Sequence, residues 1–119
     1  MQNEHLRQLR FQRLDVYRVA KELACRVCRA SIRDAELKDQ ATRAAKSVLL
    51  CLSEGLPNEG QGHRRKYFTE AENSLCETVA AVDLAAAISA MDVAEALEVQ
   101  QLGRRMQSML RGLAHGRRP

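Results

Sequence analysis

Cys25 and Cys28 stand three residues apart, the spacing at which two thiols can form a redox couple or half of a zinc site. A redox pair of this kind normally sits at a helix N-terminus behind a strand, where the helix dipole lowers the thiol pKa. Here the pair falls about three turns into a helical pattern with no strand before it. Zinc needs four ligands, and the remaining thiols, Cys51 and Cys76, are isolated on other stretches. These residues read as structural thiols. His5, His63 and His115 have no Ser, Cys or Asp placed as a nucleophile–base pair. Glu54, Glu70 and Glu77 supply carboxylates, but the Glu-x-x-His of a di-metal bundle site is absent. The loop holding Gly55, Gly60 and Gly62 lacks the Gly-Lys-Ser/Thr of a phosphate loop. The expectation is a protein without enzymatic activity, metal or cofactor.

What remains for chemistry is charge. The basic clusters are Arg7, Arg10 and Arg13; Arg64, Arg65 and Lys66; Arg104 and Arg105; and Arg117 and Arg118. Such clusters can neutralise phosphates and release counterions. Residues 1–53 hold eleven basic and six acidic side chains, whereas residues 67–103 hold seven acids and no Lys or Arg. Aromatic residues, which would stack on single-stranded bases, are only 3% of the chain, and no base-reading helix-turn-helix is visible. Any nucleic acid would therefore be held through its backbone, shape and charge. A basic surface that is merely solvated is an equal alternative.

The elements that must carry these residues are helices. A chain of 119 residues, 45% apolar and 29% charged, suits one soluble domain. The periodicity predicts four helices, over about 14–31, 35–55, 63–89 and 93–113, with polar tails at 1–10 and 114–119. The first has the seam Val16, Ala20, Leu23, Val27, Ala30. Asp34 is a candidate N-cap for the second, and Asp92-x-x-Glu95 resembles a capping box before the fourth. The third has the seam Phe68, Ala71, Leu75, Val79, Val82, Ala86; the fourth carries Val99, Leu102, Met106, Met109 and Leu113, and is expected to fray from Gly112. Short connections imply an antiparallel, up-down bundle. The longest uncharged run, Leu84 to Met91, is far below the ~20 residues of a membrane span. No signal peptide is visible, so a cytoplasmic location is expected.

The stretch Leu37 to Gly55 organises the rest. Leu37, Ala41, Ala44, Val48, Cys51 and Gly55 share one face at ~100° per residue. A second row, Gln40, Arg43, Ser47, Leu50, Glu54, has seam spacing but is mostly polar, and Leu49 is expected to project outward with Leu50. On helix three the row opposite the seam is Glu70, Asn73, Glu77, Ala81, Leu84, Ile88. Leucines facing away from a seam point to a subunit interface. Arg43, Glu54 and Glu77 are candidates for a partly buried Arg–carboxylate contact between helices.

Gln40-x-x-Arg43-Ala44-Ala45-x-Ser47-Val48, followed by Ser53-Glu54-Gly55, resembles the Q-x-x-R-A-A-x-S-I…A-E-G signature of a bacterial four-helix-bundle family. That family is encoded in intervening sequences of large-subunit ribosomal RNA genes. It is related to the accessory variability proteins of diversity-generating retroelements. Leu14-Asp15-Val16-Tyr17-x-x-Ala20 is similar to its opening motif, and Ala71-x-x-Ser74-Leu75-x-Glu77 to its A-x-G-S-L-x-E, with Asn73 and Ser53 departing from the usual small residues. The resemblance covers roughly residues 11–113. It implies an all-α, antiparallel up-down four-helix bundle assembled into a cyclic homo-oligomer, most simply a pentamer. It also brings RNA or DNA, and a reverse transcriptase or another protein, forward as partners. The expected role is a nucleic-acid-binding or ribonucleoprotein accessory factor; the alternative is a structural protein–protein adaptor.

Overall fold

The computed structural model describes residues 8–58 and 60–114. A 3-10 turn, Arg10–Arg13, precedes four α-helices: α1 (Asp15–Arg29), α2 (Ala35–Gly55), α3 (Gln61–Ala87) and α4 (Val93–Ala114). No strand occurs among the described residues, and none of the helices is long and apolar enough to cross a membrane. Each helix packs on its neighbour in sequence, α2 and α3 most extensively, and α4 returns onto α1. The result is a four-helix bundle. Its longest dimension, 43 Å, is the length of α3 itself, whose 27 residues rise about 40 Å.

Local sequence sets the helix ends. The Asp34 carboxylate accepts from Leu37 N at 2.9 Å and caps α2. The end of α1 is closed from outside: Lys38 Nζ donates to the carbonyls of Cys28 (2.8 Å) and Ala30 (2.7 Å), which the last turn leaves without helical partners. α3 stops at Ala87, two residues before the predicted end, because Ser89 adopts a left-handed φ of 61°. Ala90 N then returns to the Ala85 carbonyl at 2.8 Å, the closing bond of a Schellman turn. Arg33 joins that turn to the α1–α2 connection: its backbone N–H donates to Ala90 O at 2.7 Å and its Nη2 to Ser89 O at 2.9 Å. Both connections therefore lie at one end of the bundle, called here the turn end. The α2–α3 loop and the 3-10 turn lie at the other.

The core follows the predicted seams with corrections. On α1 all five seam residues are buried, joined by Val19 and Ala24. On α2, Ala45 and Leu52 are fully buried beside the seam. Leu49 is not outward-facing. Its neighbours one turn away, Ala45 and Leu52, line the core, and Leu49 packs half-buried against that core. On α3, Ala81 of the expected outer row is buried, while Leu84 and Ile88 are exposed. α4 does not fray at Gly112: buried Leu110 and Leu113 hold the last turn to Ala114.

Candidate nucleic-acid and assembly surfaces

Two regions gather the residues singled out in the sequence. The first is the end opposite the turn end. Arg10 and Arg13 lie on the 3-10 turn that enters α1, and Arg64, Arg65 and Lys66 on the first turn and a half of α3. Both segments are at this end, so two clusters more than fifty residues apart in sequence share one end of the bundle. Arg64 lays its guanidinium over the Phe68 ring, 5.5 Å from the centroid, and Lys66 sits 5.8 Å from the Tyr67 centroid. These stacking contacts hold the cations near the surface without neutralising them. Arg65 is exposed. Arg104 and Arg105 do not join this cluster. They lie ten and nine residues before the end of α4, ~15 Å up the axis, with Arg104 lining the α3–α4 groove. Arg7, Arg117 and Arg118 lie outside the described residues.

The second region is a polar groove of about 510 Å3 between α2 and α3. Gln40, Arg43 and Ser47 line it from α2, Ser74 and Glu77 from α3, with Glu36 and Asp39 at its turn-end mouth. Two separate motif pieces thus meet across one groove. The Ser47 and Ser74 hydroxyls hydrogen-bond at 2.8 Å, and Thr78 Oγ1 donates to Ser74 O at 2.8 Å, so the hydroxyls serve the helix pairing. Sequence reasoning missed this pair. Both serines stood inside the motifs, but nothing in either motif says they face each other.

The expected Arg43–carboxylate contact between helices is corrected. Arg43 is exposed and pairs with Asp39 of its own helix at 3.0 Å. The i, i+4 spacing puts a carboxylate within reach one turn away, nearer than Glu77 across the groove. Glu54 is about three turns further along α2 than Arg43. It sits beside Tyr67, whose phenol it holds above the ordinary tyrosine range, chiefly by accepting its hydrogen bond. Leu50 is exposed on the same outer row. The Ser47–Ser74 pairing places Leu50 at the height of Ala71, close to Glu70. By the same register Leu84 is at the height of Leu37, some thirteen residues or ~20 Å towards the turn end. Leu50 and the Leu84–Ile88 pair are therefore separate patches.

The thiols do not converge. Cys25 lines the α1–α4 groove, Cys28 is exposed, Cys76 lines the α3–α4 groove, and Cys51 lies by Ser47. Burial pushes the Cys51 thiol up from its ordinary value, away from the nucleophilic thiolate. Among the described residues no three His, Cys, Asp or Glu side chains meet as a metal site.

A family model described as 23S rRNA-intervening sequence protein matches residues 12–112, from the 3-10 turn to the last turn of α4. No curated protein matches the chain.

Proposed function

The chain belongs to the family of 23S rRNA-intervening sequence proteins, and from that membership we propose a non-enzymatic, cytoplasmic accessory protein that binds RNA or DNA by its backbone. The observation that carries this reading is the gathering of Arg10, Arg13, Arg64, Arg65 and Lys66 at one end of the bundle. The turn end carries both signs, Asp34, Glu36, Asp83 and Asp92 beside Arg29, Arg33 and Lys38. A duplex or structured RNA seated on the basic end exchanges condensed counterions for protein cations. The near absence of exposed aromatic rings makes single-strand stacking a minor contribution.

The test is binding of generic duplex and hairpin RNA to the wild type and to Arg65→Glu/Lys66→Glu. Both side chains are exposed, so folding is unaffected. Affinity is expected to fall at least tenfold, and the salt dependence to flatten by about two. Equal affinity of the two proteins would place the nucleic acid elsewhere or nowhere.

The assembly belongs to the same proposal. Leu50, with Glu54 and Glu70 nearby, offers an apolar and acidic face, and α1 offers Arg18, Lys21 and Arg29 on its exposed side. Joining one face to the other is a heterologous contact, which closes into a ring when its rotation permits. A pentamer is the expected closed form. Light scattering at micromolar concentration is expected to return a multiple of the 13.4 kDa chain mass, and Leu50→Glu to reduce that mass with helicity retained. A monomeric wild type would refute the assembly.

A second reading, a protein–protein adaptor for a reverse transcriptase or another protein, is favoured by one observation. The turn end carries exposed apolar surface that the basic end and the Leu50 face do not use.

A further inference from the structure

Six large apolar side chains are exposed among the described residues, and four of them flank a single turn. Leu84 (51% exposed) and Ile88 (52%) close α3, and Val93 (59%) and Leu97 (52%) open α4. The register of the two helices is fixed by Val79 against Gly103 and by Gln100 Nε2 donating to Asp83 Oδ1. That register puts Leu84 and Leu97 at one height, and Ile88 and Val93 at the next turn. The helices supporting them are anchored beneath: Ala85, Ala96 and Val99 are buried, as is Met91 in the turn. Two exposed apolar pairs thus stand level on either side of the turn, on a well-packed base, and exposed apolar area of this kind is normally limited on a solvated surface.

We propose that this corner docks a basic amphipathic helix of a partner protein, with its leucine-like side chains on the four apolar residues and its lysines or arginines on the surrounding acids. The charge of the supporting hairpin selects that occupant. Around the turn stand three acids, Asp83, Asp92 and Glu95, against one cation, Arg33, which is held on the Ser89 carbonyl, while Glu98 beside Leu97 is already paired with Arg26. Asp83 is adjacent to Leu84 and receives a neutral amide, and exposed Asp92 lies between Ile88 and Val93. With three acids against one arginine, a phosphate backbone or an anionic lipid surface meets net repulsion here, whereas a cationic helix meets net complementary charge. A second copy of the chain does not supply the matching face. Among the described residues its remaining large exposed apolar side chains, Leu9 before the 3-10 turn and Leu50 on α2, stand singly. The exposed side of α1 is basic but carries no large apolar residue. Two copies meeting corner to corner would oppose acid to acid.

The test uses the full chain and a labelled eighteen-residue helical peptide of leucine and lysine, read by fluorescence anisotropy at moderate salt. The same peptide with glutamate in place of lysine is the charge control. The lysine peptide is expected to bind saturably, and the glutamate peptide to bind at least tenfold more weakly. Leu84→Ser/Leu97→Ser is expected to weaken the lysine peptide at least tenfold with unchanged helicity and unchanged mass, and Asp83→Lys to weaken it several-fold. Leu50→Ser is expected to leave peptide affinity as it was. Equal binding of both peptides overturns the proposal, as does a double variant that binds like the wild type. A fall in the mass of Leu84→Ser/Leu97→Ser also overturns it, because the corner would then be covered by a second copy. Loss of RNA binding in that variant overturns it as well, assigning the corner to nucleic acid.

Discussion

Leu75→Asp is expected to leave the protein without a cooperative fold. Leu75 is 2% exposed on α3 and faces both the core and Gly103 of α4, whose position lies within contact distance of Leu75 Cδ1. Truncating such a leucine costs about 2–5 kcal/mol through lost contacts and the cavity left behind. The carboxylate adds the larger penalty of a buried charge. The cation on the same α3–α4 groove, Arg104, is exposed at its surface and does not replace the solvation lost by a buried carboxylate. The sum reaches most or all of the 5–15 kcal/mol typical of a domain. Circular dichroism and thermal melting are the readouts: loss of the helical signal, or of a cooperative transition, is expected. Leu75→Met keeps volume and apolarity and is expected to stay within about 1.5 kcal/mol of wild type. Wild-type melting of the aspartate variant would contradict the packing of α3 described here.

The second large effect is expected at Gly55, the last residue of α2. A Cβ there would lie 2.9 Å from Phe68 Cε1 and 3.0 Å from Tyr67 Cβ. The Phe68 ring is fixed in the core at 2% exposure, and the Tyr67 Cβ is tied to its own backbone, so neither yields easily. Glycine is present for this close approach of α2 and α3. Its backbone is helical, so conformation is not the reason. Gly55→Val gains about 0.5 kcal/mol of helix propensity but overpacks the contact by about 1–3 kcal/mol or more. The net expectation is a loss of about 2 kcal/mol, seen as a melting temperature lower by roughly 10 °C. An unchanged or raised melting temperature would show that the helices part freely at this point.

These two residues illustrate what a sequence can and cannot say. Leu75 stood in a regular apolar seam, and seams of that kind are legible because helical geometry places every third or fourth residue on one face. The Asp34 cap was legible for the same reason, being a local signal. Gly55 stood in a motif, yet its reason is a ring thirteen residues onward on another helix. Arg43 was read as a partner for a distant carboxylate, whereas Asp39, one turn away, holds it. Leu49 was read from its wheel position as outward, but α2 is wrapped on a wider arc than one stripe and buries its flank. Val93 and Leu97 carried no signal of their own. Exposure is a property of what packs nearby, and only the register of α3 and α4 brings them level with Leu84 and Ile88. The basic clusters were visible one by one. Their meeting at one end followed from topology, once the α2–α3 loop and the 3-10 turn were placed opposite the turn end.

The central claim is that this basic end holds a phosphate backbone, and a salt titration tests it most directly. Affinity for a generic duplex, measured across monovalent salt concentrations, is expected to fall linearly on logarithmic axes. Five cations at the end, Arg10, Arg13, Arg64, Arg65 and Lys66, give a slope of about −4 or steeper. A slope near zero, or no binding even at the lowest salt, would contradict the account.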